Sequence, residues 1–326
     1  MDKGTKMILI TGGLGFIGTH ITRALLDLGE SCVVVQRSTS CVPDVFAEHA
    51  GTRFFLEQVD VTDRSAFLDI GERHEITGIV NLVGAFGYAA DEPIHDAQLN
   101  MAGLFAVFEA ARNWQVRRVS NASTIGVYAG TTDKSPLHED LPLPMATGHG
   151  IPAFKKITEL LADHITSTTG IEIVNCRISG VWGPGGRPAS RFLTVPQLIR
   201  AAITGTEPDL SLLGTPARAD DGADLIYVRD CGRAIALLQV ADKLHNRTYN
   251  VASGHPTTNA DLATAIGKAI PGARFDLPAG RDPDRPGQDV YLDITRLQQD
   301  TGYQPGYDTD HAVADYIDWL RAGNDR

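Results

Sequence analysis

The sequence contains few cysteines, no long apolar run and no cluster of basic residues, and each shortage excludes a class of protein. Its four cysteines, in a chain of 326 residues, form no C-x-x-C pair, so neither a disulfide framework nor a cysteine-based zinc site is expected. We expect reduced thiols at small buried apolar positions. No apolar run reaches the roughly 20 residues that cross a bilayer, and the first is too short for a signal-peptide core. The sequence therefore predicts a cytoplasmic protein with no membrane partner and no metal site.

The charge balance argues against a nucleic-acid partner. The net charge is −11, from 29 Lys and Arg against 40 Asp and Glu, whereas a protein that binds nucleic acid needs a basic face. A pocket can still be locally positive, so a small anionic ligand stays compatible with this charge. Hydrophobic residues make up 43 % of the chain and charged residues 21 %, a composition typical of a globular protein with a sizeable core.

Apolar strand-like runs alternate with helix-like segments along the first half of the chain. The strand-like runs are 7–10, 32–35, 79–83, 116–120 and 171–176. Helix-like segments lie between most of them, at 16–28, 100–113 and 153–168. Such alternation predicts an α/β fold of the Rossmann type, a doubly wound parallel sheet with helices on both faces.

The composition of the sequence changes near residue 183, where Pro and Gly become more frequent. Short strand-like runs return at 225–228 and 248–251. We therefore predict a dinucleotide-binding domain made of 1–182 and 225–252. The remaining residues, 183–224 and 253–326, are predicted to form a smaller C-terminal α/β domain that binds the substrate.

A glycine-rich turn, TGGLGFIG at 11–18, lies between the first strand-like run and the first helix-like segment. Gly13, Gly15 and Gly18 give the spacing G-x-G-x-x-G, which binds dinucleotides when it joins a strand to a helix. Glycine permits the tight turn and the close approach of backbone to pyrophosphate, whose charge the helix N-terminus favours. The residues predicted to contact the cofactor here are Gly12, Gly15, Phe16, Ile17 and Gly18.

The end of the second strand-like run bears on the choice between NAD and NADP. Proteins that prefer NAD usually carry an acid here, which binds the ribose 2′-hydroxyl. This chain has Gln36 at that place, followed by Arg37. Because Arg pairs well with phosphate and no carboxylate opposes it, the sequence favours NADP, with NAD as the alternative.

Several later segments follow a recognisable order, namely VDVTD at 59–63, NLVGA at 81–85, STIGVY at 123–128, RISGVWGP at 177–184 and YVRD at 227–230. Together with the glycine-rich turn, they make the chain similar to the extended short-chain dehydrogenases/reductases of the NAD-dependent epimerase/dehydratase family. The resemblance implies further cofactor contacts from Asp60, Val61, Leu82, Val83 and Gly84. It also implies a homodimer formed through the helices at 100–113 and 153–168.

The resemblance breaks at one position of the expected catalytic set. Such enzymes carry Y-x-x-x-K on a helix, and Lys155 with Glu159 fits the lysine and the Glu that follows it. The place of the tyrosine is taken by Ile151. The resemblance gives Thr124 the role of binding the reacting oxygen and Lys155 that of binding the nicotinamide ribose. The missing phenol matters because a positioned acid or base contributes typically 10²–10⁴ in rate.

Several groups could take over the proton, and the sequence does not choose among them. His149 lies two residues before the vacant position, and histidine is a common acid or base in catalysis. Tyr88 and Tyr128 are alternatives, although each is more readily explained as part of the substrate wall. A water held by Thr124 and Lys155 is a third candidate, and loss of proton transfer is a fourth.

The substrate side differs from relatives that act on nucleotide-diphosphate sugars. Their segment R-D-F/Y-I-x-V-x-D carries an Arg that grips the diphosphate, and Ala223 stands there in this chain. Arg285 resembles their second phosphate-gripping Arg, and it is predicted, with Tyr88 and Tyr128, to contact a small-molecule substrate.

These features predict an NAD(P)-dependent oxidoreductase or epimerase that acts at a secondary alcohol or carbonyl of a small polar, sugar-like molecule. A non-catalytic dinucleotide sensor and a lyase or dehydratase that uses the cofactor transiently are the alternatives.

Overall fold

The computed structural model describes residues 5–84, 92–147, 149–282 and 290–325. In these ranges the strands are β1 Lys6–Thr11, β2 Cys32–Gln36, β3 Phe54–Gln58, β4 Glu75–Asn81, β5 Arg118–Thr124, β6 Glu172–Ile178, β7 Gly180–Trp182, β8 Gly222–Tyr227, β9 Thr248–Val251 and β10 Pro256–Thr258. Seven of them form one sheet in the order β3-β2-β1-β4-β5-β6-β9, and every pair in it is parallel. The strand order reverses next to β1, which is the arrangement that creates a ligand crevice at the carboxyl edge of the sheet.

Ten α-helices lie in the described ranges; some cover both faces of this sheet, and others pack on a second, smaller sheet. They are α1 Phe16–Asp27, α2 Arg64–Leu68, α3 Ile70–Arg73, α4 Pro93–Asn113, α5 Gly150–Thr169, α6 Val195–Thr204, α7 Val228–Val240, α8 Asn259–Ala269, α9 Thr295–Thr301 and α10 Thr309–Arg321, with short 3₁₀ helices at Asp44–His49, Ile125–Tyr128 and Ser211–Leu213. None of the helices in the described ranges is long and apolar enough to span a bilayer.

Two apolar layers hold the helices on the sheet. Nearly every residue of β1 and β2 is buried. Since alternate residues of a strand point to opposite sides, both faces of the sheet are covered here. On one face α1 packs against α7, where a Cβ at Gly232 would lie 2.6 Å from the backbone of His20. On the other face α4 contributes buried residues such as Leu104 and Val107. The predicted doubly wound parallel sheet is confirmed.

A second sheet lies beyond β6 in the chain. β7 pairs with β8 in parallel, β8 pairs with β10 antiparallel, and residues of α6, α8 and α10 form a core with it. The run predicted at 225–228 thus belongs to β8 of this smaller sheet, whereas 248–251 returns to the large sheet as β9. The division of the chain into two domains at the stated residues stays a prediction.

The structure differs from the sequence-based expectation in several places, among them the bounds of β5, Arg118–Thr124 instead of 116–120, and the start of α4 at Pro93 instead of residue 100. β3 was not anticipated, because it is an edge strand in which only Phe54 is fully buried. β4 ends at Asn81 rather than at residue 83, since the N–H of Leu82 donates to the side-chain hydroxyl of Thr11 instead of to a backbone carbonyl of the neighbouring strand. Cys41 is exposed, while the other three cysteines are buried as expected.

Candidate active site

The phosphate-binding turn joins β1 to α1 and is built by close backbone contacts. Gly12 has φ of +68°, a conformation that glycine adopts without strain, and its carbonyl accepts the N–H of Gly15 at 2.9 Å. A Cβ at Gly18 would lie 2.2 Å from the carbonyl oxygen of Gly12 and 2.8 Å from Cα of Gly13. No side chain fits there. Glycine at residue 18 is therefore what allows the phosphate-binding turn to pack closely against the start of α1.

The N-terminus of α1 has the properties of an anion site. Its cap residue Gly15 is exposed, no side chain of the described residues caps this end, and its first turn contains no acid. The first backbone N–H groups of a helix have no intrahelical partner, and the helix dipole is positive here. The turn therefore fits the pyrophosphate of a dinucleotide, toward which the N–H groups of Phe16 and Ile17 would donate, while the N–H of Gly15 is used inside the turn.

The ends of β2 and β3 bring the residues predicted for the adenosine half together. Gln36 ends β2, and its carbonyl accepts the N–H of Val59 at 3.0 Å. Asp60 accepts two hydrogen bonds from Thr62, at 2.9 and 2.7 Å. Partial burial opposes ionisation of this carboxyl, but those hydrogen bonds and the charge of Arg37 outweigh it, so the pKa of Asp60 is lowered. Arg37 is exposed and lies close enough to act on that carboxylate.

The chain after β4 runs beside the phosphate turn. A Cβ on Gly12 would be 3.8 Å from Cβ of Leu82. Gly103 of α4 allows that helix to approach, since a Cβ there would lie 3.2 Å from Val83 and 3.8 Å from Val61. Four of the predicted cofactor residues, Gly12, Val61, Leu82 and Val83, are thus brought to one edge of the sheet.

A row of buried amides crosses the same edge and was not recognised in the sequence. The hydroxyl of Thr11 donates to Asn81 at 3.0 Å, Asn81 donates to Asn121 at 3.0 Å, and Asn121 donates to Asn175 at 3.2 Å. The register places these asparagines directly opposite one another on β4, β5 and β6. A satisfied buried network is rigid, so this row fixes β4, β5 and β6 relative to one another. An asparagine inside each of three apolar strands was the available signal.

Thr124 ends β5 and faces the start of α5. Its hydroxyl accepts the N–H of Gly126 at 3.2 Å, which caps the 3₁₀ helix Ile125–Tyr128. A Cβ at Gly126 would lie 3.0 Å from Cγ of Pro152, so the first turn of α5 packs directly on this segment. One turn further along, Lys155 is only 7 % exposed. It is therefore not a solvent-exposed lysine on the surface of the helix.

Burial dominates the electrostatics of Lys155. It lowers the pKa of the amine to about 8, and the charge of Glu159 only partly opposes this. A buried ammonium loses hydration, which favours the neutral form. The neighbouring Lys156 serves a different purpose, because its amine donates to the carbonyls of Pro144 and Ala146 and holds the loop before α5.

Glu159 forms a buried ion pair with Arg177 of β6. The guanidinium donates to both carboxylate oxygens, at 2.7 Å through its terminal nitrogen and at 3.1 and 3.2 Å through Nε, and the hydroxyl of Ser123 donates to the same carboxylate. These contacts join α5, β5 and β6. Removing one partner of such a pair leaves a buried charge uncompensated, which is strongly destabilising.

Tyr128 lies in the core rather than on a surface that faces a substrate. It is 2 % exposed, its hydroxyl donates to Asn250 at 3.0 Å and accepts from Arg177 at 2.8 Å. The 3₁₀ helix turns the ring inward, where a buried phenol needs partners. The expected position of Tyr128 in the substrate wall is therefore corrected.

The remaining predicted residues lie around the start of α5 or outside the described ranges. His149 caps α5 without a side-chain hydrogen bond, is exposed and stacks on Phe192 with ring centroids 5.9 Å apart. Ile151 is in the first turn of the helix. Tyr88 and Arg285 lie outside the described residues. Within the described residues, no group of His, Cys, Asp or Glu is arranged to hold a metal ion.

Comparisons with known proteins agree with this geometry. Residues 8–252 match the model of the NAD dependent epimerase/dehydratase family. UDP-glucose 4-epimerase 2 of Arabidopsis thaliana is 27 % identical, over 96 % of this chain and 95 % of its own. dTDP-glucose 4,6-dehydratase of Escherichia coli is 24 % identical, over 96 % and 92 %. The structure of Thermus thermophilus UDP-glucose 4-epimerase in complex with NAD has a TM-score of 0.77 at 22 % identity, covering 97 % and 99 % of the two chains, and it shows the same fold.

Proposed function

Because the chain belongs to the NAD-dependent epimerase/dehydratase family, we propose that it is an NAD(P)-dependent enzyme that epimerises or oxidises a secondary alcohol on a sugar-like substrate. The observation that carries the proposal is the common position of the phosphate turn and Thr124 at the carboxyl edge of one parallel sheet. In this fold, that edge is where a dinucleotide and its substrate meet.

The residues divide the work as follows. The turn at 12–18 holds the pyrophosphate, and Lys155 binds the nicotinamide ribose. Thr124 hydrogen-bonds the reacting oxygen and orients it. The nicotinamide, when bound, supplies the acceptance and return of a hydride. The protein contributes binding, orientation and proton transfer, and its predicted proton donors are His149 and a water held by Thr124 and Lys155.

We propose NADP as the preferred cofactor. Gln36 carries no charge to repel a 2′-phosphate, and the exposed guanidinium of Arg37 beside it can pair with that phosphate. The carboxylate of Asp60 competes for the same guanidinium, so we expect a preference rather than an exclusion of NAD.

The substrate is proposed to be a sugar or sugar acid, with nucleotide-linked sugars as the first class to test because the named relatives act on them. Ala223 stands where relatives have one of the two Arg residues that grip the diphosphate. This favours a smaller anionic substrate over a nucleotide-diphosphate sugar. A dehydratase remains the second candidate, since one of the similar proteins is a dTDP-glucose 4,6-dehydratase.

The experiment incubates purified protein and added cofactor with UDP-glucose, dTDP-glucose, free sugars and sugar acids. Nicotinamide absorbance is followed, and products are identified by NMR. An interconverted sugar without net absorbance change indicates an epimerase, loss of water a dehydratase, and net absorbance change an oxidoreductase. Cofactor binding without any product in the panel would contradict the proposal and favour a dinucleotide sensor.

We also propose that the protein is a homodimer through α4 and α5. These helices lie beside each other and expose large apolar side chains, with Phe105 49 %, Ile157 47 % and Leu160 65 % exposed. Exposed large apolar side chains on two neighbouring helices favour association, and a second copy of the same chain presents the same surface by symmetry. The cytoplasmic location stays a prediction.

A further inference from the structure

One face of α5 is fixed to the end of β5 at two points. Pro152, Lys155 and Glu159 lie at spacing i, i+3 and i+7, which is a single face of a helix. The first of them lies beside Gly126, where a Cβ would be 3.0 Å from Cγ of Pro152, and the last accepts a hydrogen bond from the hydroxyl of Ser123. Since both ends of this face are attached to the segment 123–126, we infer that Lys155 between them faces Thr124, the residue proposed to bind the reacting oxygen.

Helix geometry gives an expected direction for the lysine side chain. Helical side chains lean toward the helix N-terminus and lie over the preceding turn. We therefore expect the side chain of Lys155 to extend toward the turn that contains Ile151, one turn earlier on α5. Ile151 has no titratable group, whereas an amine on a long flexible side chain is a basic group of sufficient length to reach this region, besides His149 at the start of the helix.

The charged groups around Lys155 are already paired among themselves. On α5, the carboxylate of Glu159 is held by Arg177 from β6 and by Ser123 from β5. On the 3₁₀ helix after β5, Tyr128 donates to Asn250 and accepts from that same guanidinium. The negative charge of Glu159 is thus balanced by Arg177. The carboxylate therefore gives a protonated Lys155 little additional electrostatic stabilisation. This agrees with the pKa of about 8 that burial gives the lysine.

We propose that the amine of Lys155 is itself the proton acceptor and donor at the substrate oxygen, in place of the missing phenol. This inference rests on the proposed function. In the oxidising direction, the substrate O–H bond breaks and its proton forms an N–H bond on neutral Nζ. The O–H electron pair becomes the second C–O bond as carbon releases hydride to the nicotinamide. In the reverse direction, the ammonium returns the proton to the carbonyl oxygen as the hydride returns to carbon.

The first test is a direct titration that does not depend on turnover. Protein labelled with ¹³C at lysine Cε is titrated by NMR from pH 6 to pH 11, with and without bound cofactor, and the signal of Lys155 is assigned by its loss in Lys155→Arg. We expect this amine to titrate between about pH 7 and 9. A Lys155 signal that still reports an ammonium at pH 10 in both states would overturn the proposal.

The second test uses the pH dependence of turnover. Arginine keeps the positive charge but does not release its proton, so Lys155→Arg should lower kcat at saturating cofactor by about 10²–10⁴-fold. The pH limb that matches the lysine titration should disappear with it. Lys268→Arg is the matched control, because this exposed lysine pairs with Asp310 on α10; the same substitution there should leave kcat and the pH profile unchanged.

The outcomes separate this inference from the proposed function. If the unmodified protein turns over a substrate and Lys155→Arg keeps the same pH limb, another group carries the proton and the inference is wrong while the function stands. If the unmodified protein binds cofactor but transforms no substrate, the proposed function fails, and the NMR titration alone then decides whether Lys155 has the basicity that the inference requires.

Discussion

The phosphate turn allows a sharp test, the substitution Gly18→Ala. The new methyl group would be placed 2.2 Å from the carbonyl oxygen of Gly12 and 2.8 Å from Cα of Gly13. Both neighbours are backbone atoms and cannot rotate away as a side chain would, so the turn itself must move. The substitution therefore perturbs the geometry of the turn without removing any functional group.

Two effects of opposite sign determine the stability of this variant. Alanine in place of a helical glycine gains roughly 1 kcal/mol, whereas overpacking a rigid site costs about 1–3 kcal/mol and sometimes more. A contact as short as 2.2 Å belongs at the upper end of this overpacking range. After the gain from alanine is subtracted, we expect a net loss of about 1–2 kcal/mol in the free energy of unfolding. Displacement of one hydrogen bond to a phosphate costs about 1.5–3 kcal/mol, which corresponds to roughly a 10- to 100-fold rise in cofactor Kd.

Gly267→Ala is the matched control, since this glycine lies within α8 and has open space around its Cβ position. It should raise stability by up to about 1 kcal/mol and leave cofactor affinity unchanged. Urea denaturation measures the first effect and titration calorimetry with NAD and NADP the second. A Gly18→Ala protein that binds both cofactors with the affinity of the unmodified chain would refute our account of the turn.

Four other perturbations test the remaining parts of the site. Arg37→Glu should weaken NADP binding far more than NAD binding, because it places a negative charge beside the 2′-phosphate; equal effects in calorimetry would refute the NADP assignment. Leu160→Glu should convert a dimer to monomers in sedimentation equilibrium, whereas the equally drastic Leu212→Glu, at another exposed leucine, should not; a dimer that survives the first change excludes this interface. His149→Ala should lower kcat less than Lys155→Arg does, and the reverse order would give the proton to the histidine. The pKa of Lys155 is about 8 in the folded state against an ordinary 10.5, so its charge destabilises the fold below pH 8, and this cost disappears by pH 10.5. Lys155→Met should therefore raise the free energy of unfolding by up to about 3 kcal/mol at pH 7 and by little at pH 10.5. A gain of equal size at both pH values in urea denaturation would contradict the lowered pKa.

The sequence alone predicted the parts of the protein that depend on local pattern. The apolar runs and the glycine spacing at 13, 15 and 18 predicted a parallel sheet with a dinucleotide turn after its first strand, because strand period, helix period and backbone clearance are properties of neighbouring residues. The missing phenol at Ile151 is also visible in the sequence, since the family spacing on one helix locates it.

Tertiary structure decided everything that depends on residues far apart in the chain. The amide row of Asn81, Asn121 and Asn175 exists only because the register places them opposite one another, and the core position of Tyr128 depends on Arg177 and Asn250. The environment of Lys155 has the same origin. Nothing local distinguishes a solvated helical lysine from a buried one. Packing of α5 on β5 removes its hydration, and the pairing of Glu159 with Arg177 limits how far that carboxylate can offset the loss.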